Sequence, residues 1–296
     1  MRGSASGRND APSRRNDTPA RRDDTPSRRL EFAEDEGGGV TVLADGHPQS
    51  YVDPHDPELL VFEYVQHLAA CLDALPEAAP ARLAITHVGG AGLSVPRYVQ
   101  HTRPGSPQIV LEPDEDLTAR VRRELPLPRG HRIRVRPLPG RAGVTGLRPA
   151  SADVLVLDAF ADGRVPADLT TLEAFCDVAR VLRPGGLWLG NLADEPSRGY
   201  IARVAAGAHA AGLTHQLLVA THDVLKGRRF GNSVLAASDQ PLDADELGRR
   251  LRRVSAPSGV LAPARLARLR ASARPLTDSD AHRSAPPPDP GRWRAR

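Results

Sequence analysis

The sequence predicts an α/β protein with a doubly wound, mostly parallel sheet, and three observations support this prediction. Apolar runs alternate with segments of helical periodicity from residue 81 to residue 240, as in proteins built from strand–helix–strand units. The runs QIVL and VLVL are apolar at almost every position, which is typical of strands buried on both faces. A glycine-rich turn follows the first run, at a place where such sheets commonly bind ligands.

Seven strands are expected in this Rossmann-like sheet. They are predicted at residues 81–90, 108–114, 131–140, 152–160, 183–193, 215–224 and 230–239. Helices are expected between them, and a further helix over 58–74, where apolar side chains recur at helical spacing. Residues 38–52 alternate in polarity around Asp45-Gly46, so they are predicted to form a small N-terminal β-hairpin.

Both ends of the chain are expected to be disordered tails. Residues 8–28 hold three seven-residue units, RNDAPSR, RNDTPAR and RDDTPSR, with almost no apolar side chain. Such segments cannot bury enough surface to offset the entropy of ordering. The predicted organisation begins with a tail over 1–36 and a hairpin with a helix over 37–80. The α/β domain follows over 81–240, then a segment of one or two helices over 241–274 and a second tail over 275–296.

Composition and charge narrow the function classes. The net charge is +4, and of the 40 basic residues only Lys226 is a lysine, which we interpret as a compositional bias of the whole chain. We therefore expect no nucleic-acid partner. No segment approaches the roughly 18 apolar residues of a membrane span, and two distant cysteines form neither a disulfide framework nor a zinc site. The sequence predicts a soluble, cytoplasmic protein without a metal or a membrane partner.

The carboxyl ends of the first two strands carry candidate binding residues. Small residues from Gly89 to Gly92 let a ligand approach the backbone, although tight strand-to-helix packing explains them equally well. Glu112 lies 20 residues after Gly92, the spacing typical of an acid that binds ribose hydroxyls. Asp114 follows Glu112 closely and also suits the N-cap of the next helix.

Asp158 ends the fourth predicted strand and is the candidate base. A carboxylate that closes a buried strand lies at the mouth of the cleft, where desolvation raises its pKa. Such a group can accept a proton during catalysis. The alternative is an aspartate that only caps a turn.

Five segments together resemble the spermidine synthase family, whose fold is of the class I methyltransferase type. They lie within residues 38–240 and read ADGHPQSYVDPHDPELLVFEYVQHL, HVGGAGLSVPRYV, IVLEPDEDL, VLVLDAF and ARVLRPGGLWLGNL. The hairpin with its Asp-Gly and its glutamine favours this family over ordinary methyltransferases. The resemblance implies polyamine biosynthesis, in which an aminopropyl group passes from decarboxylated S-adenosylmethionine to an amine such as putrescine. It also suggests a homodimer.

The resemblance assigns roles to individual residues. Asp158 matches the catalytic aspartate. The nucleoside would be bound by Gln49, Gly89, Gly90, Gly92, Glu112 and Asp114. The amine substrate would be bound by Glu63, His67 and Asp162.

The sequence departs from the family pattern where the family has polar side chains. Gly92 stands where an aspartate grips the aminopropyl amine, and Ala161 stands at the second signature aspartate, with Asp162 beside it. Val61 replaces an acceptor-binding tyrosine, and LPGRAG replaces a segment whose aspartate binds adenine. Each lost carboxylate removes a charge-assisted hydrogen bond of about 1.5–3 kcal/mol.

Three functions therefore stay open. The first is a spermidine synthase-like aminopropyltransferase. The second is an S-adenosylmethionine-dependent methyltransferase, since an acid at position 92 would repel the carboxylate of intact S-adenosylmethionine. The third is a catalytically inactive homologue that acts as a binding protein, which the lost acids and the repeats favour.

Overall fold

A three-stranded antiparallel sheet opens the part of the chain that the computed structural model describes, residues 29–288. Its strands are β1 (Leu30–Glu34), β2 (Val40–Ala44) and β3 (His47–Val52). Asp45 and Gly46 join β2 to β3, with φ angles of 51° and 76°. Positive φ at both positions is what the tight turns of two-residue hairpins require, so the Asp-Gly pair forms the turn that the sequence predicts.

Two segments predicted as tail belong to the fold. In β1, Leu30 is buried, and Arg120 Nη1 donates to its carbonyl at 2.7 Å. Near the other end Leu276 and Ser284 are fully buried, and the Leu276 carbonyl accepts a 2.7 Å hydrogen bond from Leu172 N. The tail predictions are wrong here because the partners of both segments lie far away in the sequence. The repeats at 8–28 lie outside the described residues.

The main sheet has eight strands in the order β11-β9-β10-β8-β7-β4-β5-β6. These strands are β4 (Ile85–Val88), β5 (Gln108–Leu111), β6 (Ile133–Arg136), β7 (Ala152–Leu157), β8 (Leu182–Asp194), β9 (His215–Thr221), β10 (Gly231–Ser238) and β11 (Ser258–Val260). Strands β4 to β8 run parallel, whereas β10 is antiparallel to β8 and β9. All seven predicted strands are present. The eighth, β11, falls in a segment predicted to be helical, because three residues carry no readable periodicity.

The helices cover both faces of this sheet. They are α1 (Glu63–Asp73), α2 (Ser94–Thr102), α3 (Glu115–Glu124), α4 (Gly140–Thr145), α5 (Leu172–Val181), α6 (Gly199–Ala210), α7 (His222–Leu225), α8 (Ala244–Leu251) and α9 (Pro263–Ala271). Asp114, Thr171 and Asp243 cap α3, α5 and α8, each accepting a hydrogen bond from a first-turn N–H. Within residues 29–288, no helix has the length and apolar character needed to cross a bilayer.

Two apolar cores sandwich the sheet and fix its position. On one face α1 packs Leu68 against strand residues such as Val156. On the other, Phe175 of α5 meets Trp188 of β8 edge to face, with ring centroids 4.9 Å apart. Strand order reverses at β4, which lies between β5 and β7. In doubly wound sheets the ligand crevice opens at the carboxyl edge of such a switch point.

Replacement of Leu276 by alanine tests whether the C-terminal segment contributes to the stability of the domain. Leu276 is fully buried in the core that contains Phe175, so its truncation should lower the free energy of unfolding by about 2–4 kcal/mol. Denaturant unfolding measures this loss. Leu59→Ala is the control, because Leu59 is 45% exposed. Equal stability of the two variants would show that the segment does not dock.

Candidate active site

The ends of β4 and β7 meet at the glycine turn. Gly89 has φ +89°, and a Cβ built on it would lie 2.2 Å from the carbonyl oxygen of Asp158. The Asp158 amide in turn donates to the Val88 carbonyl at 2.9 Å. Neither the backbone conformation nor the space tolerates a side chain at Gly89, so the turn lies directly against the residue predicted to be catalytic.

Glu112 joins β5 to the same turn. Its Oε2 accepts a hydrogen bond from Gly90 N at 3.1 Å, and its Oε1 accepts one from Asp114 N at 3.0 Å. A Cβ on Gly90 would lie 2.8 Å from Val110 Cγ1, so this glycine too is closely packed. The structure thus brings Gly90, Glu112 and Asp158 to one edge of the sheet.

Asp158 has the environment of a general base. Burial raises the pKa of its carboxyl to about 6, against the opposing effect of a hydrogen bond that Asn191 Nδ2 donates to Oδ1 at 2.9 Å. The group is therefore mostly ionised at neutral pH, yet it is far more basic than a solvated aspartate. Such a pKa suits proton transfer near physiological pH.

Asn191 is a site residue that the sequence analysis missed. Parallel pairing of β7 with β8 sets Leu157 beside Gly190, so the next residues, Asp158 and Asn191, are neighbours. Asn191 is fully buried, and its Oδ1 has no hydrogen-bond partner among the described residues. Buried polar atoms are nearly always paired, so this oxygen points to a ligand. The available signal was an asparagine within the apolar run LWLGNLA.

Tyr64 approaches Asp158 from α1. Burial raises the pKa of its phenol well above the usual value, and the negative charge of Asp158 adds to the shift. The phenol is therefore neutral and lies within electrostatic reach of the aspartate. The family's tyrosine position is occupied by Val61, and Tyr64 lies three residues further on, in the first turn of the helix.

Gly92 lies against the small N-terminal sheet. A Cβ built on it would lie 2.9 Å from both Cβ and Oγ of Ser50 in β3. The Ser50 and Ser94 hydroxyls are 2.8 Å apart, and Ser94 Oγ donates to the Tyr51 carbonyl. Strand β3 therefore fills the space that a carboxylate at this position would need. Packing of this strand accounts for the glycine.

The two candidate residues of α1 differ in accessibility. Glu63, the first residue of the helix, is exposed and pairs with Arg229 at 3.5 Å. His67 lies one turn further on and is buried, with Nε2 2.8 Å from Ser258 Oγ. Burial lowers the pKa of His67 to about 4, so its ring is neutral. The structure encloses His67 against β11, and its Nδ1 has no hydrogen-bond partner among the described residues.

Three further candidate residues have other partners. Gln49 lies at a β-bulge of β3, and its Nε2 donates to the His47 carbonyl at 3.2 Å. Asp162 is exposed and pairs with Arg283 at 3.0 Å. Asp114 Oδ1 accepts the capping hydrogen bond from Leu117 N at 2.8 Å. Neither Gln49 nor Asp162 makes a hydrogen bond with Asp158 among the described residues. Asp114 acts as a helix cap.

Arg141 occupies the segment LPGRAG, where the family has an adenine-binding aspartate. Its guanidinium lies 3.4 Å from Asp278 and 3.4 Å from the Thr171 hydroxyl. The charge at this position is thus opposite to the family's. In the described part of the chain, no group of three His, Cys, Asp or Glu side chains is arranged to hold a metal ion.

The strand order, with the polar groups at one sheet edge, defines the class I methyltransferase-like fold. Human methyltransferase-like protein 13, solved in complex with SAH, matches with a TM-score of 0.52 and 22% identity, over 74% of this chain and 96% of that one. The predicted fold class is confirmed. No protein-family model and no curated protein matches the sequence.

Within this class the chain is similar to spermidine synthases. A probable spermidine synthase from Corynebacterium glutamicum ATCC 13032 matches with a TM-score of 0.80 and 28% identity, over 86% of this chain and 94% of that one. The Thermotoga maritima enzyme matches with a TM-score of 0.56 and 16% identity, over 78% and 76%. A spermidine synthase in complex with the transition-state analogue AdoDATO matches with a TM-score of 0.54 and 15% identity, over 78% of this chain and 76% of that one. The resemblance predicted from the sequence is confirmed, and the chain is spermidine synthase-like.

Asp158→Asn should make the protein more stable at pH 8. The folded state retains the Asp158 proton up to about pH 6, so ionisation destabilises the fold as the pH rises from about 4 to 6. Removing the charge while keeping an acceptor for Asn191 should raise the free energy of unfolding by about 1–3 kcal/mol at pH 8. The gain should vanish near pH 4. Denaturant unfolding at both pH values measures this gain, with Asp116→Asn as the control because Asp116 is exposed. A gain that does not depend on pH would refute the raised pKa of Asp158.

Proposed function

We propose that the protein binds an S-adenosylmethionine-type nucleoside and transfers an alkyl group from its sulfonium to an amine. One observation carries this proposal. A partly buried carboxylate with a pKa of about 6, Asp158, lies at the same sheet edge as the glycine turn and Glu112. Two of the similar structures contain nucleoside-type ligands, AdoDATO and SAH, which supports a nucleoside at this edge.

Each residue at the edge has a definable task. Gly89 and Gly90 let the nucleoside approach the backbone, and Glu112 accepts hydrogen bonds from the ribose hydroxyls. Its two oxygens offer about four lone-pair sites, so it can do this while holding Gly90 N. Asn191 orients Asp158 through Nδ2 and presents its unpartnered Oδ1 to the amine.

The chemistry needs little from the protein besides orientation and one base. When bound, the sulfonium supplies an activated carbon and a neutral thioether leaving group. The amine nitrogen forms its bond to that carbon while the carbon–sulfur bond breaks and its electron pair stays on sulfur. The proton released by the amine goes to Asp158. Holding the partners at the sheet edge supplies most of the acceleration in such a reaction.

The resemblance to spermidine synthases supports an aminopropyl group as the group transferred, and with it polyamine biosynthesis. A second candidate is methyl transfer, and the position of Gly92 favours it. Ser50 excludes a carboxylate from that position. The decarboxylated donor, which has an ammonium and no carboxylate, loses a favourable contact there, whereas intact S-adenosylmethionine avoids repulsion of its own carboxylate. The basic Asp158 argues against an inactive binding protein.

Glu112→Gln should weaken nucleoside binding about 10- to 100-fold, because a charge-assisted hydrogen bond of about 1.5–3 kcal/mol is lost. Calorimetric titration with methylthioadenosine, S-adenosylmethionine and its decarboxylated form measures the affinities and shows which donor is preferred. Glu115→Gln is the matched control, since Glu115 is exposed in the first turn of α3. No heat with any of the three nucleosides in the wild-type protein would refute the proposed function.

Turnover should depend on the Asp158 carboxylate. Below about pH 6 kcat/KM should fall roughly tenfold per pH unit, and Asp158→Asn should lose turnover yet still bind methylthioadenosine. Chromatography of the products identifies the group transferred: methylthioadenosine marks aminopropyl transfer and S-adenosylhomocysteine marks methyl transfer. Unchanged turnover in Asp158→Asn would remove this residue from the mechanism.

A further inference from the structure

The glycine turn contains backbone conformations that are costly without support. Ala91 and Leu93 have φ angles of 38° and 65°, in the left-handed region that residues with a Cβ rarely adopt. Leu93 is also the N-cap residue of α2, and its side chain makes no capping hydrogen bond. Such conformations persist only where surrounding groups hold them, so the turn depends on its neighbours.

Glu112 holds the N–H side of the turn. Its Oε2 accepts a hydrogen bond from Gly90 N at 3.1 Å and lies 3.5 Å from Ala91 N. The carbonyl side has no equivalent donor from its own helix, because Pro96, four residues after Gly92, has no N–H. A hydrogen bond to the Gly92 carbonyl must therefore come from a side chain.

Arg97, near the start of α2, supplies that hydrogen bond. Its Nε donates to the Gly92 carbonyl at 3.1 Å. At the far side of the guanidinium, Nη2 donates to the Leu125 carbonyl, and Nη1 donates to the Pro126 carbonyl at 3.4 Å. Leu125 is the buried C-cap residue of α3, so Arg97 ties the turn to a fixed point of the fold.

The charge of Arg97 is costly where it lies. The residue is only 7% exposed, and the three hydrogen bonds of its guanidinium within the described residues all go to neutral carbonyls. Burial lowers the pKa of Arg97 to about 10, so the guanidinium stays charged at neutral pH. A buried charge without an ionic partner destabilises a fold relative to apolar packing. A task for the rigid fork of donors at the turn explains why the charge is kept.

We propose that Arg97 is a positioning residue, which holds the glycine turn in its nucleoside-binding conformation before the nucleoside arrives. This inference rests on the proposed function. The turn lies between the Glu112 carboxylate on its N–H side and the Arg97 guanidinium on its carbonyl side. Because the conformation is held in advance, the nucleoside does not have to order the turn on binding, and this preorganisation raises the affinity. Arg97 acts through the Gly92 carbonyl.

Arg97→Gln should weaken nucleoside binding about tenfold or more, because one amide cannot replace a fork that reaches both the turn and α3. Calorimetric titration of the full chain with methylthioadenosine measures the affinity. Arg103→Gln is the matched control, since Arg103 is a buried arginine at the end of the same helix. It donates to the carbonyls of Leu72, Glu77 and Ala81, none of which lies in the turn. The control should lose stability in denaturant unfolding and keep its nucleoside affinity.

Ala91→Gly separates positioning from packing. Glycine adopts a positive φ without steric cost, so this substitution lets the turn hold its conformation with less support. In the Arg97→Gln background it should restore affinity by about threefold or more, and in the wild-type background it should change affinity by less than about twofold. A merely structural role of Arg97 predicts no such coupling, because Ala91→Gly returns none of the lost hydrogen bonds.

Hydrogen exchange of the wild-type protein tests the same claim without any variant. The amides of Gly90 and Leu93 donate to Glu112 and to the Gly90 carbonyl. Before a nucleoside is added, they should exchange at least about tenfold more slowly than in an unstructured peptide. Protection that develops only when methylthioadenosine is bound would overturn the proposal, because the turn would then be ordered by the ligand.

The outcomes separate this inference from the proposed function. Equal nucleoside affinity in Arg97→Gln and Arg103→Gln, or no recovery when Ala91→Gly is added, would overturn the positioning role alone. Absence of nucleoside binding by the wild-type protein would overturn both. Loss of affinity that is confined to Arg97→Gln and recovered by Ala91→Gly supports the role. If Arg97→Gln does not fold, Arg97→Lys takes its place in the same cycle, because lysine keeps the charge without the fork.

Discussion

The arrangement of the site depends on the absence of a side chain at Gly89. Only because this position has no Cβ can the end of β4 lie against the Asp158 backbone, with the two strands tied by the hydrogen bond from Asp158 N to the Val88 carbonyl. That contact fixes the distance between the glycine turn and Asp158. Glu112 ties the third strand to the same turn. Backbone packing therefore sets the geometry of this sheet edge, and the arrangement is formed without a ligand.

Burial of Asp158 contributes basicity at the expense of stability. The same desolvation that raises its pKa destabilises the ionised folded state, and the Asn191 hydrogen bond offsets only part of that effect. Asn191 itself keeps an unpartnered buried oxygen. The stability of the fold does not require the Asp158 carboxylate and the Asn191 amide at these positions, since apolar side chains of similar size would stabilise the sheet. Their presence together is the strongest indication that the edge performs chemistry.

Local sequence signals predicted the fold well and the site in part. Buried apolar runs fixed the strands, and the Asp-Gly turn, the glycine turn and the strand-end acids were readable because each acts through its immediate neighbours. What the sequence could not show were contacts between distant segments. The contact between Gly92 and Ser50, the pairs of Glu63 with Arg229 and of Asp162 with Arg283, and the enclosure of His67 all arise from tertiary packing. Roles transferred from a family residue by residue stay predictions at such positions, because the sequence does not show which distant side chains lie beside them.

The close contact between Gly92 and Ser50 also constrains how this site can change over evolutionary time. An aspartate introduced at position 92 would collide with the strand that covers it, so the mutation is harmful until position 50 has become smaller. A glycine at position 50 alone would lose the hydroxyl pair with Ser94 and gain nothing. The effects of the two substitutions on stability are therefore not additive, since the residues are in contact.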